Sequence, residues 1–238
     1  MNVYETKNIK DRIFGNAYVG RGIVIGKSED GKNAVFAYFI MGRSENSRNR
    51  VFTLKNGDLF TEPFDASKVD DPSLIIYRAV ATNENNTVVT NGDQTDTVVE
   101  LMEKGKCFRG ALKTREFEPD APNFTPRISG ILKFEDDFSY EMSILKSLDS
   151  EGSACARYHF DYPSKNGLGH FIHTYVTDGN PIPTFMGEPE RVVIPNCIDE
   201  FTNEIWENLD ENNKISLYVR YVNLETNEYV DRLINKNK

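Results

Sequence analysis

Apolar and polar positions alternate along much of the second half of the chain, and a period of two is typical of β-strands that bury one face. Residues 138–144 alternate aromatic or aliphatic side chains with serine and glutamate. The same alternation runs through residues 154–161, 170–176 and 214–222. This half is therefore predicted to form a meander of strands.

Two apolar runs nearer the N-terminus predict an antiparallel hairpin. Residues 18–27 and 33–41 are rich in branched and aromatic side chains and are joined by a short polar turn. A second hairpin is predicted from residues 74–81 and 87–90. The other segments of this half are assigned as an irregular N-terminal arm, a polar arginine-rich loop and a turn-rich connector, at residues 1–17, 42–50 and 56–72.

Helical spacing is confined to a few short stretches. Residues 95–104 predict a helix that ends at Gly105, and residues 107–117 predict another. Apolar residues at helical spacing predict a third helix over residues 198–209. Many strands with a few grouped helices favour an α+β layered fold with mostly antiparallel sheets. No repeat or linker divides the chain, so residues 1–238 are predicted to form a single domain with residues 1–17 as an N-terminal extension.

Composition narrows the class of protein. The formal net charge of the 238 residues is −9, which argues against a general nucleic-acid-binding protein. No apolar run reaches the roughly 18 residues of a membrane span, and the first residues lack the apolar core of a signal peptide. The three cysteines are far apart and odd in number, as expected of free thiols. We therefore expect a cytoplasmic protein without a membrane or nucleic-acid partner.

The sequence lacks the motifs of several common classes of enzyme. Neither a P-loop, a Rossmann glycine turn nor a Gly-x-Ser-x-Gly elbow occurs. His170 and His173 would point to opposite faces of a strand, so they do not predict a zinc site. Residue 2 is asparagine, so an N-terminal nucleophile is not expected without internal cleavage. No metal or other cofactor is predicted.

A polar turn at residues 90–97 joins a β-branched run to a predicted helix and carries candidate chemistry. Asn91-Gly92 readily adopts positive φ, and Asp93 or Thr95 can cap the helix that follows. Backbone N–H groups at such a helix start can bind an anion or a polar ligand. Taken alone, such a turn is more often a connector whose polar groups satisfy only its own backbone.

Arginines stand in three further polar segments, namely Gly20-Arg21, Arg43-Ser44 with Asn49-Arg50, and Thr125-Pro126-Arg127-Ile128. The guanidinium fork matches two phosphate oxygens at once, so arginines in turns beside strand ends suit phosphate binding. Residues 1–60 hold ten Lys or Arg and six Asp or Glu. Composition leaves open whether this positive charge forms a solvated face or a local anion site.

These segments, in this order, resemble the archaeal-type inosine monophosphate (IMP) cyclohydrolases. The matching pieces are residues 18–21, 43–44, 49–50, 72–77, 88–92, 95–97 and 125–128. The most specific of them are Asn-Gly-x-x-Thr-Asp-Thr and Thr-Pro-Arg-Ile. The resemblance covers about residues 17–135, and the second half of the chain matches only loosely.

The resemblance implies a four-layer α-β-β-α sandwich like that of N-terminal nucleophile hydrolases, without their nucleophile. It implies the last step of purine synthesis, in which 5-formamidoimidazole-4-carboxamide ribonucleotide closes to IMP with loss of water. It further implies a cytoplasmic homo-oligomer, possibly a tetramer, that needs no cofactor and takes a small nucleotide as its substrate.

Site residues are expected from the same resemblance. The expected catalytic residues are Arg21, Tyr77, Asn91 and Asp93. The expected substrate-binding residues are Arg43, Ser44, Asn49, Arg50, Gly92, Thr95, Asp96, Thr125 and Arg127. The arginines would meet the phosphate or the developing oxyanion, and the turn at residues 91–95 would hold the carboxamide, ribose or base. The proton-transfer group is not identified, with Tyr77, Tyr158 and His159 as candidates.

Three alternatives remain open at this point. The first is an amidohydrolase on the same fold, which would need a nucleophile or metal that the sequence does not plainly show. The second is a non-catalytic nucleotide-binding module that keeps the pocket without turnover. The third is a structural subunit whose arginines make only interface contacts.

Overall fold

The computed structural model describes residues 2, 4–69, 76–83, 85–135 and 137–238. The strands within these residues are β1 Arg21–Lys27, β2 Asn33–Met41, β3 Val51–Lys55, β4 Asp58–Glu62, β5 Tyr77–Thr82, β6 Asn86–Thr90, β7 Arg127–Lys133, β8 Ser139–Ser147, β9 Cys155–Pro163, β10 Leu168–His173, β11 Glu190–Val193, β12 Lys214–Asn223 and β13 Tyr229–Asn235. The helices are α1 Lys10–Ile13, α2 Glu45–Arg48, α3 Gln94–Glu103, α4 Phe108–Leu112 and α5 Ile198–Asn208. No helix in this described part is long and apolar enough to cross a membrane.

Two antiparallel sheets carry the fold. One has six strands in the order β11-β10-β1-β2-β12-β13, and the other has seven in the order β3-β4-β5-β6-β7-β8-β9. Neighbouring strands pair antiparallel throughout both sheets. The predicted hairpin over residues 18–41 is confirmed as β1 and β2, and the α+β class with mostly antiparallel sheets is confirmed.

Three apolar cores hold the elements together. The largest lies between the two sheets and includes Ile23 from β1 and Tyr140 from β8. A second covers the other face of the six-stranded sheet, where Val24 packs with Phe201 of α5. A third joins the outer face of the seven-stranded sheet to α3 and α4, with Leu112 fully buried. Each sheet is thus packed on both faces, as expected when both faces are apolar.

The turn-rich connector predicted for residues 56–72 is wrong in its first part, which contains strand β4. Asn56 and Gly57 both have positive φ, 54° and 87°, and connect β3 to β4 as a two-residue hairpin turn. Asn-Gly is the dipeptide that favours this turn, so the signal was present in the sequence. Residues 70–75 lie outside the described residues, and with them the first two residues of the strand predicted over 74–81; the rest of that strand is β5, which pairs with β6 as the second predicted hairpin.

Two other segments also differ from the sequence predictions. The segment predicted as a polar loop at 42–50 contains α2, capped by the Ser44 and Ser47 hydroxyls. The N-terminal arm forms α1, whose Ile13 is buried together with Ile9 against the six-stranded sheet. The predicted helix at 107–117 is shortened to α4, because residues 113–114 form a turn and residues 115–120 have no regular secondary structure.

Candidate active site

Strand ends from both sheets meet at one edge of the molecule and form a cleft of about 280 Å³. The N-terminal end of β1 lies there beside the C-terminal end of β2, as their antiparallel pairing requires. The N-terminal end of β3, from the other sheet, lies at the same edge. The cleft is lined by Tyr18, Arg21, Arg43, Ser44, Ser47, Arg50, Glu118, Asp120, Asn123, Thr125, Tyr175 and Ile182. Five residues expected at the site from the sequence are therefore brought together: Arg21, Arg43, Ser44, Arg50 and Thr125.

Arg21 and Arg50 are the most unusual groups in this cleft. They are only 8% and 6% exposed. Neither guanidinium forms a hydrogen bond or an ion pair with any residue that the structure describes, and the Nε of each is buried. Buried arginines are normally paired, because an unpaired buried charge is costly. The pair therefore leaves strong donors available to an anion in the cleft.

The neighbours of these two arginines shift their pKa values in opposite directions. Burial lowers the pKa of Arg21, but Glu118 and nearby tyrosine hydroxyls outweigh burial and leave it raised. Burial and the charge of Arg21 together lower the pKa of Arg50. The crowding of two positive charges in a poorly solvated cleft favours a ligand that brings negative charge.

The backbone at Gly20 fixes the direction of Arg21. Gly20 has φ +77°, and a Cβ there would lie 2.1 Å from the Thr174 hydroxyl oxygen. The same hydroxyl accepts a hydrogen bond from the Arg21 N–H at 3.1 Å. A side chain at residue 20 would meet both a strained backbone conformation and a steric clash. Glycine here lets β1 begin with its arginine turned into the cleft.

Arg43 stands at the mouth of the cleft. Its guanidinium forms an ion pair with Asp178 and donates to the Gly179 carbonyl at 2.9 Å. The guanidinium also lies over the Tyr18 ring, 5.2 Å from the centroid. Arg43 is exposed and paired with Asp178, unlike the two buried arginines.

Glu118 is one of two acidic residues of the cleft, with Asp120, that were not predicted from the sequence. It is 5% exposed and faces Arg21, Arg127 and Arg50. Burial raises the pKa of the Glu118 carboxyl, although the three arginines oppose this shift. A carboxyl with a raised pKa can hold or accept a proton near neutral pH. The only signal in the sequence was an acidic residue between a short helix and a proline-rich segment, which is too common to single out.

A hydrogen-bonded chain of three side chains lines another wall of the cleft. The Thr125 hydroxyl lies 2.6 Å from the Tyr175 hydroxyl and donates to the Asp120 carboxylate. The Asp120 carboxylate also accepts from the Thr125 backbone N–H at 2.6 Å. Burial raises the pKa of the Tyr175 hydroxyl, so this hydroxyl is protonated at neutral pH. Because Thr125 gives its own hydrogen to Asp120, Tyr175 donates to Thr125, and the Tyr175 oxygen can accept a hydrogen bond from a ligand in the cleft.

The turn at residues 90–97 lies next to this cleft but does not line it. Asn91 is completely buried and donates to the Pro126 carbonyl at 2.9 Å. Its side-chain oxygen accepts from the Ile128 N–H at 2.9 Å and from the Gln94 amide at 3.0 Å. The Asn91 amide is thus occupied by the protein, and it ties the turn to the segment that carries Thr125.

The other polar groups of the turn bind protein partners as well. Asp93 forms ion pairs with Arg127 and Arg115 and does not cap α3 with its side chain, contrary to the sequence prediction. Gly92 leaves room for Arg127, whose Nη1 would lie 2.6 Å from a Cβ at residue 92. Thr95 bonds to the Thr90 hydroxyl, and Asp96 pairs with Arg78.

Tyr77 and Asn49 lie behind the walls of the cleft. The Tyr77 hydroxyl is 2.9 Å from that of Tyr38. Tyr77 acts to raise the pKa values of both Arg21 and Arg50, and Tyr38 acts to raise that of Arg50. The Asn49 side chain binds the backbone of Asp65 in both directions. Neither Tyr77 nor Asn49 lines the cleft. Of the proton-transfer candidates, Tyr158 and His159 lie on β9 and also do not line the cleft.

Asn91→Ala should lower the free energy of unfolding by about 2–4 kcal/mol, because it leaves buried backbone groups without partners and removes buried packing. The measurement is urea unfolding followed by circular dichroism. Asn212→Ala serves as the control, since this exposed side chain makes no hydrogen bond in the described structure. An equal effect of the two substitutions would show that Asn91 does not brace the turn.

Sequence comparison with known proteins shows the family of this chain. The sequence model described as "IMP cyclohydrolase-like protein" matches residues 18–227. A protein named IMP cyclohydrolase from Methanopyrus kandleri is 30% identical over 181 residues, which cover 71% of this chain and 89% of that protein. Its counterpart of the same name from Methanococcus aeolicus is 28% identical over 162 residues, covering 66% and 74%. The match extends well past residue 135, into the half of the chain where the motifs are weak, and the chain belongs to the IMP cyclohydrolase-like protein family.

Proposed function

We propose that this chain is an IMP cyclohydrolase that closes 5-formamidoimidazole-4-carboxamide ribonucleotide to IMP in purine biosynthesis. The observation that carries the proposal is the pair of buried arginines, Arg21 and Arg50, which line a cleft and form no ion pair with a described residue, although Glu118 lies nearby. A nucleoside monophosphate supplies the missing negative charge. The similarity to proteins named IMP cyclohydrolase supports the identity of that nucleotide.

Ring closure needs three things from the protein. The carboxamide nitrogen attacks the formyl carbon within one molecule, so the protein must hold the reactive rotamer. Negative charge that develops on the formyl oxygen must be stabilised. One proton leaves the carboxamide nitrogen and one leaves the formamide nitrogen, and both depart with the formyl oxygen as water. None of these steps requires a covalent intermediate.

The residues of the cleft match these needs in the proposed mechanism. Arg43 at the mouth and Arg50 bind the phosphate, while Arg21 faces the reacting end. Glu118 moves the proton between nitrogen and oxygen, because its raised pKa suits transfer near neutral pH. The Tyr175 hydroxyl donates to Thr125, and its oxygen accepts a hydrogen bond from the carboxamide nitrogen. The 91–95 turn positions the segment around Thr125 rather than touching the substrate.

The finer features implied by the family resemblance are part of the same proposal. The two sheets with helices on their outer faces would correspond to the four-layer sandwich of N-terminal nucleophile hydrolases. All 238 residues would act as a single domain in a cytoplasmic homo-oligomer.

Conversion of the formamido nucleotide, followed by the ultraviolet absorbance of the new purine, tests the proposal. We expect turnover by the wild type and loss of turnover in the Arg21→Met/Arg50→Met double variant. IMP should also raise the melting temperature, as a ligand of the native state does, while inosine should not because it lacks the phosphate. Binding of IMP without turnover would leave only a binding module, and no response to any nucleotide would overturn the proposal.

A further inference from the structure

Strand β9 forms one edge of the seven-stranded sheet and is paired only on one side. It spans nine residues, Cys155–Pro163, and its described neighbour is β8 alone. The opposite edge of that sheet is covered, because the Asn235 side chain binds both backbone groups of Phe52 on β3. A long open strand edge is a template for pairing with another strand.

The hydrogen-bonding pattern shows which groups of β9 are free. The Leu148 N–H donates to the Ala154 carbonyl at 2.9 Å, so these opposed residues form a hydrogen-bonded pair. Because such pairs alternate with non-bonded pairs in an antiparallel ladder, the backbone groups of 156, 158, 160 and 162 face β8. Those of Arg157, His159 and Asp161 then point outward, away from the sheet.

The side chains beside this edge are unusually apolar for a surface. Tyr158 is 48% exposed and Met186 is 75% exposed. With Phe160, Phe185 and Ile144 they line a groove of about 360 Å³ next to the edge. A paired strand would cover the ends of these side chains and bury apolar area as well as backbone groups.

Charge along β9 is complementary to itself in one antiparallel register. If a second β9 pairs about a two-fold axis at His159, each Arg157 lies opposite Asp161 of the other copy. Within its own chain Arg157 pairs with Glu116 at 3.5 Å and Asp161 with Arg109 at 3.6 Å, so the cross-strand pair would join two existing surface ion pairs. Axes at Arg157 or at Asp161 would instead oppose like charges. With the two-fold axis at residue 158, Arg157 would lie opposite His159, and with the axis at residue 160, Asp161 would lie opposite His159. Burial and Arg109 lower the pKa of His159, so this side chain carries no charge at neutral pH and forms no ion pair. Cross-strand pairs of opposite charge are the favoured ones.

We infer that a second copy of this chain docks on β9 by antiparallel β9–β9 pairing about His159, so that the two seven-stranded sheets join into one. The outward N–H and C=O groups of Arg157, His159 and Asp161 then bond across the axis. Tyr158 of each copy lies opposite Phe160 of the other on the apolar face.

A cysteine placed on the two-fold axis tests this register directly. Directly opposed residues in a hydrogen-bonded pair have Cα atoms about 5.5 Å apart, which lies within disulfide range. His159→Cys should therefore yield, under mild oxidation, a covalent species of twice the 27.2 kDa chain mass on a non-reducing gel. Tyr158→Cys is the matched control, because its two copies would lie beyond the roughly 7 Å limit. The wild type, with its three free cysteines, gives the background.

A charge exchange tests the same interface without oxidation. In light scattering, Arg157→Asp and Asp161→Arg should each halve the mass of the assembly, and the double exchange should restore it. Failure of His159→Cys to cross-link above the wild-type background would overturn the inference, as would cross-linking by Tyr158→Cys instead. So would a wild type that stays at 27.2 kDa at all concentrations.

Discussion

Arg50→Met should reduce kcat/KM for ring closure by about 10²–10³-fold, mainly through KM, because removing one partner of a buried, hydrogen-bonded charge pair with the phosphate costs about 2–5 kcal/mol. The same substitution should make the free protein more stable, by roughly 1–4 kcal/mol, because it replaces a buried charge that has no ion-pair partner within the described residues with an apolar side chain of similar length. Loss of activity would then accompany a gain in stability. Steady-state kinetics and urea unfolding of one preparation measure both.

Arg232→Met is the control for this substitution. Arg232 is exposed and pairs with Asp199 on the surface, so the change should leave kcat/KM as it is and alter stability little. If Arg50→Met were as active as the wild type, the anion site would not be in this cleft. If it were inactive and less stable, Arg50 would be a structural residue.

Glu118→Gln should lower kcat by about 10²–10⁴-fold with little change in KM, because the amide keeps the shape of the side chain but cannot transfer a proton. Glu116→Gln is a close control, since Glu116 stands two residues away with a side chain that is 66% exposed. An unchanged kcat for Glu118→Gln would assign proton transfer elsewhere, with Asp120 as the other carboxyl in the cleft. A large rise in KM alone would make Glu118 a binding group.

The raised pKa of Glu118 also has a consequence for stability. Above the pKa of an unfolded glutamate, the native state still holds a proton that the unfolded chain has lost, so the free energy of unfolding falls as pH rises. The free energy of unfolding stops falling once the pH exceeds the raised pKa of Glu118 in the native state. Glu118→Gln lacks this contribution, so it should gain stability relative to the wild type over a pH range that begins at about pH 4, near the pKa of an unfolded glutamate. Urea midpoints across that range measure the difference.

Local patterns in the sequence were sufficient for most of the fold. Alternation along β8, β9 and β12 and the apolar runs of β1 and β2 predict strands, because burial of one or both sheet faces requires those patterns. Strand β4 was missed although Asn56-Gly57 marks its hairpin. The helix predicted at 107–117 was too long, because helical spacing over so few residues does not show where the helix ends.

What the sequence determined by itself was the strand-rich fold and the family, through short motifs whose order is specific. The tertiary structure alone decided which polar residues share a cleft. Arg21, Arg50 and Glu118 come from segments up to 97 positions apart, and only the meeting of strand ends from two sheets brings them together. Asn91 and Asp93 belong to the most specific motif, yet the structure uses them to hold Arg127 and the Thr125 segment. A motif fixes residue types, whereas the packing around each side chain decides whether it faces the ligand or the protein.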